Sequence, residues 1–325
     1  MTARRLGLIL IAAFVALSGC SGLGAFVPDD TSPPRSGRGG ATPRPSPEPR
    51  GTQLSDLLGT DGRLSILILG SDVRKGIIGE RMDALIVATI HPRTGKVAMV
   101  SLPRDTASVP IAPGRTYSGR INGLFWEFER SSGKRKVALR RTREALAYAF
   151  GIEIDYAVLV DFGGLVRLIN GIGGIKITLK EAFVDPTMHL GRKAGKRGLR
   201  LKAGTRRLDG KTALAYSRSR HTDSDYGRSR RQHEVLVAAA AKVRERGVAA
   251  LPGLVGLARK YIVTDIPLDA APALLELAGR ADLKAPRSMV LEPGRYARPG
   301  SVLYTIVPKV VEVRKMFARI FGPVS

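Results

Sequence analysis

The sequence has 325 residues, of which 44% are hydrophobic, which is enough for one sizeable domain or at most two. Its formal net charge of +25 predicts affinity for polyanions such as nucleic acid, anionic lipid headgroups or phosphate-bearing polymers. Aromatic residues make up only 6%, which is poor for base-stacking platforms, and the single cysteine excludes an intrachain disulfide and a cysteine metal cluster.

The N-terminus carries a targeting signal. A basic start, "MTARR", precedes the apolar run "LGLILIAAFVALSG", which is short for a membrane span but typical of a signal-peptide core. The run ends in Leu-Ser-Gly before Cys20, the order of a bacterial lipobox, so residues 1–20 are interpreted as a lipoprotein signal peptide with Cys20 as the lipidated residue. An ordinary signal peptide or signal anchor with an incidental cysteine is the alternative. The mature protein is expected to be lipid-anchored at the extracytoplasmic face of the bacterial cytoplasmic membrane.

The segment that follows predicts a linker. Residues 28–50 are rich in Pro, Gly, Ser and Arg and lack the apolar residues needed to offset the entropy of ordering. We assign residues 21–60 to a disordered linker and residues 61–325 to the folded domain, although apolar residues already return near residue 54.

The first half of the domain predicts three strands and a helix. The buried-strand pattern "LSILILG" comes first, and a hairpin of "ALIVATI" and "KVAMVSL" follows, joined by the turn residues "HPRTG". An amphipathic helix over 136–151 is expected to stop at Gly151.

The second half continues the alternation of strands and helices. "DYAVLVDF" and "IKITL" predict strands around the short helix "GGLVRLING", and "LDGKTALAYSRSR" predicts a helix before a longer one over about 226–246. In the tail we expect helices around 267–280 and 309–320, and strands near 288–292 and 302–306. This order predicts an α/β fold of three layers, α/β/α, with a central mixed sheet flanked by helices.

One apparent phosphate-binding loop is a decoy. "GTRRLDGKT" has five residues between Gly204 and Gly210 where the P-loop motif has four, and no apolar strand precedes it. Asp209 or a neighbour is therefore expected to begin a helix. The histidines show no zinc spacing, and no nucleophile elbow is present.

Acids and arginines stand at the ends of the predicted strands. Asp72 follows the first strand, Asp83 precedes the second, and Arg104 follows the third. These ends meet at one edge of the sheet if the second strand runs antiparallel to the first. Two carboxylates together favour Mg²⁺, which takes its other ligands from substrate phosphate and water, and arginine forks bind phosphate oxygens. For each residue alone, a turn, a helix cap or a surface salt bridge remains the alternative.

The stretch "AYSRSRHTDSDYGRSRRQ" concentrates arginines beside acids. Arg228 and Gln232 are one helical turn apart and face one side, near a helix N-terminus that attracts phosphate. Arg231 is expected to share this face, whereas Arg230 points to the opposite side. Asp225 is interpreted either as a helix cap or as a site residue.

The motifs together resemble a known family. "LGSDVR", "RMD", "VSLPRDT", "RINGLF" and "LDGKTALAYSRSRHTDSDYGRSRRQ" occur in the order typical of LytR–CpsA–Psr proteins, over roughly residues 62–245. The proteins it resembles are cell-envelope glycopolymer ligases, which move a glycopolymer from a polyprenyl-pyrophosphate carrier onto a peptidoglycan sugar hydroxyl. The resemblance implies an apolar groove for the prenyl chain, which we place beside residues 84–90, 155–160 and 136–150.

The resemblance also implies roles for individual residues. Asp72 and Asp83 would hold Mg²⁺, and Asn122 would support the site. The catalytic residues would be Arg104, Arg218, Arg220 and Asp225, with Asp225 as a base or orienting group. The pyrophosphate would be bound by Arg81, Arg104, Arg218, Arg220, Arg228 and Gln232.

Three positions depart from the family pattern. Met82 and Ala84 stand where hydroxyl residues are usual, and Asn170 stands where Asp is common. These changes put supporting hydrogen bonds in doubt rather than the charged ligands.

The sequence thus predicts a magnesium-dependent phosphotransferase. Its expected partners are the polyprenyl-pyrophosphate-linked glycopolymer, peptidoglycan and the membrane, with no nucleic acid. Three alternatives stay open: a polyprenyl-pyrophosphatase in which water replaces the sugar, a non-catalytic binder of anionic glycopolymer, and a nucleic-acid-binding regulator.

Overall fold

The computed structural model describes residues 52–73, 79–188, 198–221, 224–247 and 251–321. Its helices are α1 (Leu54–Leu57), α2 (Leu124–Ser132), α3 (Arg135–Phe150), α4 (Phe162–Gly171), α5 (Gly210–Arg218), α6 (Asp225–Arg246), α7 (Leu251–Tyr261), α8 (Ala271–Arg280) and α9 (Val310–Phe321). Its strands are β1 (Leu64–Ser71), β2 (Met82–Ile90), β3 (Lys96–Ser101), β4 (Val109–Ala112), β5 (Arg115–Tyr117), β6 (Tyr156–Asp161), β7 (Ile175–Leu179), β8 (Phe183–Asp185), β9 (Leu199–Leu201), β10 (Gly204–Leu208), β11 (Ile262–Thr264), β12 (Asp282–Val290), β13 (Ala297–Pro299) and β14 (Ile306–Pro308).

Six strands form a central mixed sheet in the order β11-β6-β1-β2-β3-β12. Strand β2 is antiparallel to both β1 and β3, which confirms the predicted hairpin. Strand β6 is parallel to β1, and β12 is parallel to β3. The carboxyl ends of β1, β3, β6 and β12 therefore meet at one edge of the sheet, where β2 begins.

The central strands are apolar throughout because helices cover both faces of the sheet. Leu67 and Leu85 face one layer, where they join a core with α2, α3 and α9. Ile68 and Ile86 face the other layer, which contains α1, α6 and α8. The predicted three-layer arrangement with a central mixed sheet is confirmed.

A second, smaller core lies beside the sheet. It joins α4, α5 and α6 to the hairpin of β7 and β10 through residues such as Ile169, Ile177 and Tyr216. Two caps fix the starts of its helices: Asp161 accepts a hydrogen bond from the Gly164 amide, and Asp209 accepts one from the Thr212 amide. The predicted helix start at Asp209 is confirmed.

The ends of the chain differ from the sequence-based expectations in detail. The last residues assigned to the linker include α1, whose Leu57 is buried in the core. The strand expected near 302–306 is instead a turn, and β14 begins only at Ile306. Helices α2 and α7 have no counterpart among the predicted elements.

Within the described ranges, no helix is both long and apolar enough to cross a membrane. The predicted signal peptide, the lipobox at Cys20 and nearly all of the predicted linker lie outside these ranges.

Candidate functional site

A pocket of about 400 Å³ opens at the sheet edge where β1 and β6 end and β2 begins. Its apolar lining includes Ile68, Ile86 and Val160 from the sheet and Leu165 and Val235 from the covering helices. Its polar lining comes from the ends of strands β2 and β6, the loop after β3, and helices α5 and α6 with the loop between them: Asp83, Arg104, Asp161, Ser217, Arg218, Arg220, Arg228 and Gln232.

The predicted apolar groove was expected to open towards Arg104 and Arg218. Both arginines line this pocket, together with its apolar residues. Two of the three elements named for the groove, 84–90 and 155–160, contribute to it. The third, the helix over 136–150, was wrong. That helix is α3, and its buried residues Leu139 and Leu146 pack on the opposite face of the sheet. A hydrophobic helix face alone does not reveal which side of a sheet it covers.

The start of β2 positions Asp83 at the pocket. The β1–β2 register is irregular between Gly70 and Ser71, so Asp83 lies between the pairs Gly70–Ala84 and Ser71–Met82. A side chain at Gly70 would press on the Cβ atom of Ala84 at 3.0 Å, so the strands approach closely here. Ala84, one of the family departures, lines the pocket, whereas Met82 is fully buried in the opposite core.

Arg104 is held by an ion pair with Asp83. Its Nη1 lies 2.7 Å from Oδ1 of Asp83, and its Nε lies 3.4 Å from Oδ2 of Asp105. Burial by itself would lower the pKa of Arg104, but the hydrogen bond and charge of Asp83, with the charges of Asp105 and Asp225, raise it above its usual value. The guanidinium therefore keeps its charge at the pocket.

The backbone around Arg104 is also fixed. Asn122 is buried in a short 3-10 turn, and its backbone N–H donates to the Arg104 carbonyl at 3.2 Å. Arg120 lies 3.3 Å from Oδ1 of Asp105. The backbone of Asn122 thus helps to fix the loop that carries Arg104, and a role for its side chain stays a prediction.

The other arginines come from the junction of α5 and α6. The guanidinium of Arg218, at the end of α5, lies 4.4 Å from the centre of the Phe162 ring. Nε of Arg220 lies 2.8 Å from Oδ1 of Asp225, and Nη1 of Arg228 lies 3.4 Å from the same oxygen. One carboxylate oxygen thereby orients two arginines. Asp225 is not the helix cap, because Ser224 occupies that position.

Arg228 is the most deeply placed of these arginines. It is only 3% exposed, and its Nε has no hydrogen-bond partner among the described residues. A buried guanidinium is costly unless its donors are satisfied. Because Arg228 lines the pocket, its guanidinium is positioned to pair with an anionic ligand there.

The structure separates some of the predicted residues from the pocket. Arg81 is exposed, and neither Arg81 nor Asp72 lines it, although Asp72 lies at the same sheet edge and its amide donates to the Arg81 carbonyl at 3.0 Å. Arg231 does not face the site as expected. It is buried between Phe183 and Tyr216 and donates to backbone carbonyls.

Two further predictions concern positions near the site. Arg230 points away and pairs with Glu292 at the surface, as its helical position indicates. Asn170, which stands where the family commonly has Asp, accepts a hydrogen bond from the Gly210 amide at 2.8 Å and so fixes the start of α5.

The acidic side chains at this sheet edge suit a hard cation such as Mg²⁺ only if a bound ligand supplies further oxygen atoms. No group of three or more acidic, histidine or cysteine side chains able to hold a metal occurs in the described part of the chain. Asp72 and Asp83 lie at one sheet edge, and Mg²⁺ needs only one or two carboxylates when phosphate and water complete its shell. The residues present therefore fit Mg²⁺ bound together with a phosphate.

Sequence reasoning assigned no role to several residues of the site. Phe162 lies beneath Arg218, Asp161 lines the pocket and caps α4, and Asp105 joins Arg104 to Arg120. The position of "DF" directly after a buried strand was the available signal for the first two.

The fold and this pocket define a class of α/β protein in which a mixed sheet carries, at one edge, a pocket lined by apolar side chains and arginines. A model of the LytR_cpsA_psr family matches residues 44–292, and the chain belongs to that family.

Relatives and solved structures are consistent with this membership. Regulatory protein MsrR of Staphylococcus aureus strain Mu50 is 33% identical over 220 residues, 66% of this chain and 60% of MsrR. The polyisoprenyl-teichoic acid–peptidoglycan teichoic acid transferase TagU of Halalkalibacterium halodurans is 27% identical over 250 residues, 75% of this chain and 74% of TagU. The structure of TagT bound to LIIa-WTA superposes with a TM-score of 0.60 and 26% identity, covering 84% of this chain and 97% of TagT. The chain spans 60% of the length of MsrR and 46% of another curated relative.

Proposed function

We propose that this protein transfers a glycopolymer from a polyprenyl-pyrophosphate carrier onto a peptidoglycan sugar hydroxyl. One observation carries the proposal: a single pocket is lined both by apolar side chains and by Arg104, Arg218, Arg220 and Arg228. An apolar chain joined to a pyrophosphate matches both parts of this pocket. The TagU relative is named for a transfer between the same classes of substrate.

The arginines would stabilise the charge of the reaction. The four guanidinium groups converge from three chain segments, and each is fixed by Asp83, Asp225 or the Phe162 ring. Charge that develops on the transferred and leaving phosphates would meet donors that are already oriented.

Asp225 is placed to act on the attacking hydroxyl. It lies between Arg220 and Arg228 and is about one-third exposed, so an incoming group can reach it. Within the proposal, Asp225 accepts the proton of the hydroxyl or orients it.

Magnesium dependence is part of the proposal. Asp72 and Asp83 would hold Mg²⁺ together with phosphate oxygens, and the ion would add positive charge beside the leaving group. Arg104, which pairs with Asp83, would remain beside the pyrophosphate.

Membrane attachment through Cys20 is also part of the proposal. A lipid-linked donor lies at the membrane, and a lipidated N-terminus with a polar linker would keep the domain there, at the extracytoplasmic face.

The test is a transfer reaction with defined products. The full-length chain is incubated with a polyprenyl-pyrophosphate-linked oligosaccharide, a peptidoglycan glycan acceptor and Mg²⁺, and the products are identified by mass spectrometry. Oligosaccharide joined to the acceptor through a phosphodiester is the expected result. Free sugar phosphate would instead assign a pyrophosphatase, and bound donor without any product would assign a binding protein.

The nucleic-acid alternative has its own measurement. The net charge of +25 would give non-specific DNA binding that weakens steeply as salt rises. Tight binding that persists at physiological salt would support a regulator and contradict the proposed transferase.

A further inference from the structure

A second cavity, of about 830 Å³, opens directly beside the pocket. The two share Arg104 and Arg220 as a common wall. Asp225 lines only the second cavity, and Arg218 and Arg228 line only the first. A group that enters the second cavity therefore approaches the phosphate-binding arginines from the side of Asp225.

The balance of charge differs between the two. Arginines dominate the polar part of the pocket, whereas in the second cavity Arg104, Arg120 and Arg220 are paired with Asp105 and Asp225. Because two acids offset most of the charge of the three arginines there, a hydroxyl-rich chain of low charge density fits this cavity better than a second pyrophosphate does.

The far wall of the second cavity is the loop of residues 299–306, and it is tied to the site. The Ile306 amide donates to the Asp105 carbonyl at 3.2 Å, and the Ala107 amide donates to the Ile306 carbonyl at 2.8 Å. Arg120 donates to the Leu303 carbonyl at 3.1 Å while it pairs with Asp105. The loop is thus fixed to the segment that carries Arg104.

The tip of this loop exposes apolar side chains. Val302, Leu303 and Tyr304 are 61%, 73% and 81% exposed, the last with a left-handed φ of 61° that is uncommon for a bulky residue. Tyr226, which is half-buried, also lines the cavity. Aromatic rings offer an apolar face and a polar tip, which suits the mixed surface of sugar rings.

We propose that this second cavity is the acceptor subsite and takes a glycan strand, with Tyr304 as a stacking platform. The proposal rests on the proposed function, because the hydroxyl delivered here is the one that attacks the phosphorus in the pocket. In that step the acceptor oxygen forms a bond to phosphorus, and the bond from phosphorus to the polyprenyl phosphate breaks. The leaving phosphate takes the electron pair, and Asp225 takes the hydroxyl proton.

The test uses three variants of the full-length chain. Tyr304→Ala removes the ring, Tyr304→Phe keeps it, and Val311→Ala shortens another exposed apolar residue, which lies on α9 and does not line the cavity. We expect Tyr304→Ala to raise the KM for the glycan acceptor about 10-fold without changing the KM for the lipid-linked donor. Tyr304→Phe should keep most of the acceptor affinity that Tyr304→Ala loses, because the ring remains, whereas Val311→Ala should behave as the unaltered chain does.

A binding measurement separates this proposal from the proposed function. A soluble tetrasaccharide of alternating N-acetylglucosamine and N-acetylmuramic acid is titrated into each protein by calorimetry, without donor. If no transfer occurs but the tetrasaccharide binds and Tyr304→Ala weakens it, the subsite stands and the transferase assignment fails. If transfer occurs while acceptor KM and tetrasaccharide binding are the same in Tyr304→Ala and in the unaltered chain, the subsite is overturned. Absence of tetrasaccharide binding to the unaltered chain also overturns it.

Discussion

Arg228 shows how a single residue of this site is prepared for an anion. Its guanidinium is 3% exposed, one nitrogen lies 3.4 Å from Asp225, and Nε lacks a partner among the described residues. Arg220, by contrast, is exposed, and Arg218 rests on the ring of Phe162. The three arginines of this short stretch therefore differ in burial and in the group that holds each of them.

Alanine at Arg218, Arg220 or Arg228 is expected to lower the rate of glycopolymer transfer by about 10- to 100-fold each, since a charge-assisted hydrogen bond contributes roughly 1.5–3 kcal/mol. Lysine at these positions should restore only part of the rate, because an ammonium group lacks the planar fork. The measurement is the initial transfer rate of each folded variant.

Arg230→Ala is the matched control, because Arg230 lies on the same helix but pairs with Glu292 at the surface. Its rate should stay within about twofold of the unaltered chain, as expected for loss of an exposed ion pair. Equal losses at all four positions would mean that the stretch acts as a diffuse basic patch and not as a defined site.

The two acids at the sheet edge are expected to differ. Asp83→Asn should lower activity strongly, because it weakens both metal binding and the ion pair that orients Arg104. Asp72→Asn should weaken metal binding while Arg104 keeps its partner. Calorimetric titration of Mg²⁺ with a soluble pyrophosphate ligand present measures both effects, and thermal unfolding checks the fold. Unchanged Mg²⁺ affinity in the double variant would contradict the metal assignment.

Helix α6 connects the site to the core. Its first turn carries Asp225 and Arg228, and its next turns bury Arg231 against α5 and His233 against β3. The Nε2 atom of His233 lies 2.7 Å from Oγ of Ser101, the last residue of β3. The same helix therefore orients the arginines and locks them to the central sheet.

Acid should weaken this attachment. Burial lowers the pKa of His233 to about 4, whereas an unfolded histidine titrates near 6.5. Between about pH 6.5 and pH 4 only the unfolded chain binds this proton, so the free energy of unfolding falls as the pH drops through that range, by up to about 3 kcal/mol.

The His233→Gln variant tests this assignment. Glutamine keeps a polar group near Ser101 but does not titrate, so the unfolding free energy of the variant should depend less on pH between 6.5 and 4 than that of the unaltered chain. Chemical denaturation at several pH values gives both curves. Identical pH slopes in the two proteins would show that His233 is not the titrating group.

At the scale of the whole molecule, the excess of positive charge favours contact with anionic surfaces. The chain carries 53 Lys and Arg against 28 Asp and Glu. Lipidation at Cys20 would place this charged domain next to anionic lipid and polymer, at a distance set by the linker.

Cys20→Ala is expected to abolish incorporation of a fatty-acid probe and to leave the chain uncleaved or released from the membrane. Metabolic labelling followed by membrane fractionation measures this. The control is Ser18→Ala, which keeps the cysteine and places another small residue at position 18. This variant should still be labelled. Labelling that persists in Cys20→Ala would contradict the lipoprotein assignment.

The sequence by itself determined the local features of this protein. Continuous apolar runs predicted β1, β2 and β3, because strands buried on both faces tolerate little polarity. Gly151, with φ of 64°, ends α3 as expected, and Asp209 caps α5. The motifs from Asp72 to Gln232 gave the family. Six of the predicted charged and polar residues line the pocket, and Asp225 lines the neighbouring cavity; the six are Asp83, Arg104, Arg218, Arg220, Arg228 and Gln232.

Only the tertiary structure decided which face each helix covers and which side chains meet. Helical spacing allowed Arg231 to face the site, but the fold buries it between the rings of Phe183 and Tyr216. These rings belong to other elements, β8 and α5, so the spacing of residues within α6 could not predict the contact. The exposed loop of residues 299–306 has no motif. Backbone hydrogen bonds, which any sequence can form, join it to the segment that carries Arg104. The local sequence pattern indicates which secondary structure and which face a residue favours, whereas long-range packing determines which side chains it contacts.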